Sequence, residues 1–218
     1  MPEGAFFFLL EATWVTVKLS SLSLVLAFLL GLVFGIMRAS RIHVFRYVAL
    51  VYIEVVRGIP LLVVLLTIFF LLPILMNQQV PDFIAVVTSL ALYGGAFAAE
   101  IVRAGIESIG RGQWEAARST GLNTWQVMRF IVMPQAFLVI IPPAVGLFVG
   151  LIKDSSLATV VGYVELMKAG DIVRNNPPFY TFGPLSVVAL NYFVLCFSLS
   201  RFGRWLEGRL SQGRARST

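Results

Sequence analysis

Five long stretches without a charged side chain constrain this sequence more than any other feature. They cover residues 19–37, 58–80, 83–99, 130–152 and 179–200. A helix needs about 20 apolar residues to cross the hydrocarbon core of a bilayer, and each stretch comes close to that length. We therefore predict an all-α integral membrane protein. It forms one domain over residues 1–218, with five transmembrane helices at about 12–37, 51–73, 82–107, 132–152 and 179–203.

The basic residues predict the orientation of the chain in the membrane. Arginines cluster after the first span, between the third and fourth spans, and in the C-terminal tail: Arg38, Arg41 and Arg46; Arg103, Arg111, Arg118 and Arg129; Arg201, Arg204, Arg209, Arg214 and Arg216. The opposite side carries Lys153, Lys168 and Arg174. By the positive-inside rule, we expect the N-terminus outside and the C-terminus in the cytoplasm. In this setting the net charge of +6 indicates membrane edges rather than a nucleic-acid partner.

The residue counts argue against several kinds of chemistry. The sequence contains one histidine, His43, and one cysteine, Cys196, which argues against zinc chemistry and a disulfide framework. It contains no G-x-x-x-x-G-K-[ST] motif, so it carries no ATP-binding P-loop. One alternative from another class stays open, an integral membrane enzyme such as an intramembrane hydrolase or lipid transferase. Its reactive pair would be Lys153 and Ser155.

The segment between the third and fourth spans, residues 108–133, carries the most informative local signals. Residues 113–120 suit a short helix, and Gly121 follows where a left-handed C-terminal cap belongs. Asn123 and Gln126 have the spacing of a capping box for a second helix. Ala116 and Ala117 are expected on the surface, where small side chains allow a partner to approach closely. Local chemistry alone leaves two interpretations, a compact docking knob or an ordinary amphipathic loop.

The same segment resembles the EAA loop of the permease subunits of ABC importers. That family pattern is E-A-A-x3-G-x9-I-x-L-P, and the matching residues here are Glu115, Ala116, Ala117, Gly121, Ile131, Met133 and Pro134. Met133 in place of Leu is the one departure, and it conserves volume. Residues 57–62, 96–105, 112–115, 134–136 and 153–157 also resemble the polar amino-acid branch of these permeases. The resemblance covers roughly residues 12–210.

The resemblance implies a transport subunit with a type I ABC importer permease-like fold. The loop would form coupling helices that sit in a groove of a cytoplasmic ATPase dimer, with Glu115, Ala116, Ala117, Gly121 and Pro134 carrying the coupling. ATP and Mg would be bound by that ATPase, and this chain would hold no cofactor. A second permease, identical or paralogous, and an extracytoplasmic amino-acid-binding protein would complete the complex in a bacterial or archaeal plasma (inner) membrane.

Two pairs of ionisable residues lie near the expected cytoplasmic ends of spans. Glu54 and Arg57, and likewise Glu100 and Arg103, are three residues apart and share a helix face. Ionisable groups within spans are costly and are usually paired or functional. The two interpretations left open are ion pairs that anchor helix ends and salt bridges that change partners during gating.

The candidate substrate path centres on Lys153, Asp154, Ser155 and Ser156. Residues 155–164 are apolar but too short to cross, so we expect a re-entrant or interfacial piece. A half-helix starting at Ser155 would direct backbone N–H groups at an amino acid's carboxylate. The alternative is a span end at which Lys153 extends to the interface.

Three further residues belong to this candidate path, namely Tyr93, Gly146 and Leu147. The polar amino-acid permeases that the chain resembles often carry Asn, sometimes followed by an acid, where this chain has Gly146 and Leu147. Without that carboxylate, we expect neutral or acidic rather than cationic amino acids as substrates. The same departure keeps open a permease-like scaffold that does not itself transport.

Overall fold

The computed structural model describes residues 3–40, 42–175 and 182–215, so residues 179–181, Arg41 and Arg216 of the predictions above lie outside it. Within these ranges the chain is helical and contains no strand. The helices are α1 (Glu3–Ala39), α2 (His43–Gly58), α3 (Leu61–Met76), α4 (Asp82–Glu107), α5 (Arg111–Ser119), α6 (Thr124–Val127), α7 (Met133–Asp154), α8 (Leu166–Arg174) and α9 (Phe182–Ala215). A π turn, Met128–Val132, precedes α7, and a 3-10 helix, Ser155–Val161, follows it. The predicted all-α membrane fold is confirmed.

The central contact of the bundle joins α1 and α4 along most of their length. A β-carbon on Gly94 would lie 3.2 Å from Ala27, and one on Gly35 would lie 2.7 Å from the carbonyl oxygen of Ala99. Small residues therefore let the two backbones approach closely. Residue numbers increase in the same direction along both helices, so α1 and α4 are parallel. The chain between them must cross the bundle once, which agrees with five crossings.

That intermediate crossing is a bent pair of helices, α2 and α3, which together cover the span predicted at about residues 51–73. The chain bends by 106° between α2 and α3. Ile59 is extended, with φ −105° and ψ 135°, and Pro60 precedes the first residue of α3. A proline disfavours helical backbone at the preceding residue and donates no hydrogen bond. Pro73, by contrast, is accommodated inside α3.

The helix α7 runs antiparallel to both α4 and α9. A β-carbon on Gly105 of α4 would overlap Ile140, and one on Gly203 of α9 would lie 3.0 Å from Val145. At the start of α7 the N–H of Met133 donates to the carbonyl of Met128, five residues back. This wider turn comes directly before Pro134, which has no N–H to donate.

The two ends of the bundle are built differently. At one end, α5 and α6 pack with Ile36 and Ala39 of α1 and with Ile106 of α4. At the other end, α8 packs against the first turns of α1 and against Val188 of α9. We call these the α5–α6 end and the α8 end.

Candidate functional site

The α5–α6 segment has the turn that its sequence predicts. Gly121 adopts φ +86°, in the left-handed region, and its N–H donates to the carbonyl of Arg118 at 3.0 Å. A β-carbon at Gly121 would meet no atom within 4 Å. The glycine is therefore required by backbone conformation rather than by space. The predicted left-handed cap is confirmed.

The second short helix begins with the predicted capping box. The Gln126 N–H donates to the Asn123 side chain at 2.9 Å, and the Asn123 N–H donates to the Gln126 side chain at 2.9 Å. Two backbone donors that would otherwise lack helical partners are thereby satisfied. Together with the Gly121 turn, this fixes the angle at which the chain leaves α5 and enters α6.

One prediction about this segment is wrong, because Ala117 does not lie on the surface. Ala117 is 7% exposed and packs with Val102, Val127, Val132 and Ile140 in a core shared by α4, α6 and α7. Ala116 faces outward. The two alanines thus lie on different sides of α5. Ala117 packs α5 against the spans, and Ala116 lies on the exposed surface.

The free surface of this segment, which we call the α5–α6 face, is formed by exposed residues around Ala116. They are Arg111, Glu115, Ala116, Arg118 and Trp125. Trp125 is 66% exposed, which is high for a tryptophan side chain. An exposed aromatic ring, a small residue and charged residues of both signs on one exposed segment suit contact with a protein partner.

A residue that sequence reasoning missed, Gln135, connects this segment to α7. Its Nε2 donates to the carbonyl of Ile131 at 2.8 Å and to the side chain of Gln113 at 3.4 Å. The first bond satisfies a carbonyl of the π turn, and the second reaches α5. Pro134 lies exposed beside it at the start of α7. A displacement of α5 would therefore reach α7 through this contact and through the core around Ala117.

Of the two predicted ion pairs, the structure contains one. Arg103 pairs with Glu100 at 2.8 Å and with Glu107 at 2.5 Å, all within α4. Among the described residues no salt bridge joins Glu54 to Arg57. The Arg57 guanidinium instead lies 5.3 Å from the centroid of the Phe97 ring, which links the bend before Pro60 to α4.

The predicted half-helix at Ser155 is wrong. Asp154 is helical, and α7 continues without a break into the 3-10 helix. The Ser155 hydroxyl donates to the carbonyl of Ile152 and the Ser156 hydroxyl to that of Lys153, each at 2.7 Å. No new helix starts there, so neither free N–H groups nor unengaged hydroxyl protons form a carboxylate cradle.

The candidate path residues fall into three places. Exposed Lys153 and partly buried Ser156 line a cavity of about 370 Å³ between α7, α8 and α9, the α8 cavity, with partly buried Asp154 beside them. Tyr93 and Leu147 pack against the core formed around Leu151. Gly146 lines a separate cleft of about 360 Å³ between α7 and α9.

A buried carboxyl group at the α8 end was not found from the sequence. Glu165 is fully buried and accepts hydrogen bonds from the Tyr192 hydroxyl at 2.7 Å and the Lys168 N–H at 2.9 Å. The Thr16 hydroxyl lies 3.4 Å from it and accepts the Leu166 N–H at 3.0 Å. Burial raises the pKa of Glu165 above its usual value, and these hydrogen bonds partly offset that effect.

Glu165 therefore connects α1, α8 and α9 at one point. Tyr192 also lines the α8 cavity beside Lys153, so the buried carboxyl group holds one wall of that cavity. The only feature of the sequence that points to Glu165 is its position as an acidic residue at the start of a short amphipathic stretch. Thr16 stands 149 residues away, and no local pattern could pair them.

The bent helix pair, the parallel spans α1 and α4 and the capped two-helix loop describe an all-α, multi-pass membrane domain. The family of binding-protein-dependent transport system inner membrane components matches residues 27–212. The chain belongs to this family. It is thus a multi-pass permease subunit of the inner membrane rather than an enzyme, and the resemblance of its loop to ABC importer permeases is confirmed.

Individual relatives agree with this assignment. A probable glutamine ABC transporter permease protein GlnP of Bacillus subtilis is 37% identical over 204 residues, covering 93% of each chain. The arginine transport system permease protein ArtQ of the same organism is 34% identical, covering 93% of this chain and 92% of that protein. A solved structure of an amino acid ABC transporter with histidines is 35% identical, with a TM-score of 0.84 over 93% of this chain and 94% of that one.

Proposed function

We propose that this chain is the permease subunit of an ATP-binding-cassette importer that moves polar amino acids into the cytoplasm by alternating access. Family membership and the amino-acid transporters among its relatives support this proposal. The observation that carries it is the capped α5–α6 segment, which presents an exposed face and shares its core with two spans. ATP and Mg would be bound by a separate ATPase dimer.

The coupling step follows from how the α5–α6 segment is attached. Ala117 is buried against residues of α4 and α7, so a push on Ala116 cannot move α5 alone. Packed interfaces transmit displacements as rigid-body shifts rather than by local deformation. ATPase closure against the α5–α6 face would therefore move α4 and α7 together and open the path outward, and hydrolysis would reset it.

The proposed complex contains a second permease, identical or paralogous, and an extracytoplasmic amino-acid-binding protein. We propose that the α5–α6 end faces the cytoplasm, since Arg111, Arg118 and Arg129 lie there. The N-terminus and α8 would then lie on the outer side. The binding protein would deliver its amino acid at the α8 end.

For the substrate, we propose neutral or acidic amino acids rather than cationic ones. Within the described residues, Lys153 is the one lysine, arginine, aspartate or glutamate that lines the α8 cavity. A lysine beside the path repels a cationic side chain and attracts carboxylates. The α7–α9 cleft, which Gly146 lines, also contains one basic and one acidic residue, Arg204 and Glu207, so it favours neither sign of side chain. Glutamine is the substrate in the name of one relative, and arginine in that of another, so the preference needs a direct test.

The test is reconstitution of the complex purified through the tagged chain. Proteoliposomes are loaded with ATP, and uptake of labelled glutamine is measured with competing glutamate or arginine. We expect uptake that requires ATP and that glutamate or unlabelled glutamine inhibits more strongly than arginine does. Strongest inhibition by arginine would overturn the substrate preference. Uptake that persists in proteoliposomes prepared without this chain would favour the scaffold alternative.

Two lysines provide a matched pair of variants for the path. Lys153→Gln removes the cation that lines the α8 cavity, whereas Lys168→Gln removes one on α8 that does not line it. We expect only Lys153→Gln to raise the KM for uptake. Equal effects of the two substitutions would count against the α8 cavity as part of the path.

A further inference from the structure

A second basic site lies where α1 meets α2, away from the α8 cavity. A cavity of about 610 Å³, here the α2 cavity, is lined by Arg38, His43, Arg46 and Tyr47 together with Val44, Val48 and Leu50. Ala39, next to Arg38, packs with the core of the α5–α6 end. The α2 cavity therefore lies toward the end of the bundle where arginines are concentrated.

In the part of the chain that the structure describes, the lysine, arginine, aspartate and glutamate residues that line the α2 cavity are Arg38 and Arg46 alone, so both are basic. Two guanidinium groups and an imidazole line it, and none of its lining residues carries a carboxylate. Among residues 3–40, 42–175 and 182–215, no salt bridge involves Arg38, His43 or Arg46. Arg38 is within electrostatic range of Glu100 on α4, but no ion-pair contact joins them. The cavity thus offers donors to an anion.

The position of α2 is fixed from its other face. Ala49 and Ile53 are fully buried, and the Tyr52 hydroxyl donates to the carbonyl of Leu92 at 2.6 Å. The Tyr52 ring also lies 4.2 Å from that of Phe34. The helix is therefore held on α1 and α4, and its opposite side is a stable surface rather than a loose segment.

That opposite side is apolar next to the cations. Val44 is 68% exposed, Tyr47 is 66% exposed and Val48 is 48% exposed. A small soluble anion gains no binding energy from contact with exposed apolar side chains of this kind. A phospholipid uses both the arginines and the apolar face of α2. Its phosphate pairs with arginine while its acyl chains lie against apolar side chains.

We propose that the α2 cavity binds the headgroup of an anionic phospholipid, with Arg38 and Arg46 on the phosphate and the valines of α2 along the acyl chains. Tyrosine prefers the membrane–water boundary, and Tyr47 would lie at that boundary with a headgroup in the cavity that it lines. Charge complementarity selects an anionic lipid over a zwitterionic one, since the positive groups of the cavity have no acidic counterpart in its lining. A bound lipid would brace α2 just before the bend that leads into α3.

Native mass spectrometry of the full chain tests this proposal. The protein is reconstituted in nanodiscs of mixed phosphatidylglycerol and phosphatidylcholine, and the lipids retained on release are counted. Arg38→Gln/Arg46→Gln is compared with Arg38→Lys/Arg46→Lys, which keeps the charge. The matched control, Arg201→Gln/Arg209→Gln, removes the same charge from α9. Circular dichroism and thermal unfolding verify that each variant is folded.

We expect the wild type to retain phosphatidylglycerol selectively and the glutamine variant to bind it about thirtyfold more weakly, from the attraction of two arginines to an anionic lipid. The lysine variant and the α9 control should keep the selectivity. Equal loss in the α9 control would overturn the proposal, as would unchanged selectivity in a folded Arg38→Gln/Arg46→Gln variant. So would displacement of the retained lipid by inorganic phosphate, which would indicate a site for free anions. If the Arg38→Gln/Arg46→Gln variant kept its lipid selectivity but lost a co-purifying protein, a protein would cover this face and the proposal would be overturned.

Discussion

Replacing Gly121 by alanine tests the geometry of the α5–α6 segment in isolation from its packing. The backbone there has φ +86°, and the added β-carbon would meet no atom within 4 Å. The cost is therefore conformational, about 1–2 kcal/mol for an L-residue held in left-handed geometry. Since 1.4 kcal/mol is a factor of ten in an equilibrium constant, the equilibrium constant for folding or for ATPase binding should fall by about five- to thirtyfold.

The conformational cost of Gly121→Ala can appear in either of two measurements, the stability of the permease or its affinity for the ATPase. If the turn keeps its shape, the unfolding free energy of the permease falls by about 1–2 kcal/mol. If the turn relaxes instead, the stability is retained and the affinity of the chain for its ATPase falls by about five- to thirtyfold. Thermal unfolding in detergent and titration of the ATPase against the permease distinguish the two.

Two matched variants show whether left-handed geometry is the cause. Gly121→Asn should cost less than Gly121→Ala, because asparagine tolerates left-handed backbone better than other L-residues. Gly112→Ala lies in α5, also with open space around it and without a positive φ, and should leave both measurements unchanged or slightly improved. Equal effects of Asn and Ala at position 121, or an equal effect of Gly112→Ala, would refute the reasoning.

Three further predictions concern stability. Because burial raises the pKa of Glu165, the folded protein holds this proton to a higher pH than the unfolded chain. Stability should therefore decrease as pH rises from the usual glutamate pKa through the raised one. In a pH series of melting curves, Glu165→Gln should flatten that decrease. An unchanged slope of melting temperature against pH would contradict the burial argument. Ala117→Lys should destabilise the isolated permease by about 3 kcal/mol or more in chemical unfolding, since it buries a charge without a partner, whereas Ala116→Lys should change it by less than about 0.5 kcal/mol. Gly105→Val should overlap Ile140 and cost about 1–3 kcal/mol through separation of α4 and α7, and a melting temperature equal to the wild type would show that this contact is loose.

Local chemistry determined which predictions from sequence succeeded. The Gly121 turn and the Asn123 capping box each depend on residues within a few positions of one another, and both were found from their spacing. The long helices followed from uncharged length alone. Ala117 was assigned to the wrong surface because its burial depends on Val127, Val132 and Ile140, which approach it only in three dimensions.

The remaining differences also have physical causes. Pro60 lies at the break in the second span, where α2 and α3 meet at 106°, an angle that no local sequence pattern gives. Ser155 suggested a helix start, yet its hydroxyl bonds back to Ile152 and the helix continues. The carboxyl group of Glu165 depends on Thr16 and Tyr192, which are brought to it by two different helices.

Site-specific photo-crosslinking tests the central claim, that the α5–α6 face receives an ATPase. A photoreactive amino acid replaces Ala116 on that face or, as a control, Ile172, an exposed residue at the α8 end. Membranes in which the tagged complex assembles are irradiated, and the adducts are identified by mass spectrometry. The account predicts a P-loop ATPase attached at position 116 and none at position 172. An ATPase attached at position 172, or none at position 116 in a complex that contains it, would contradict the account.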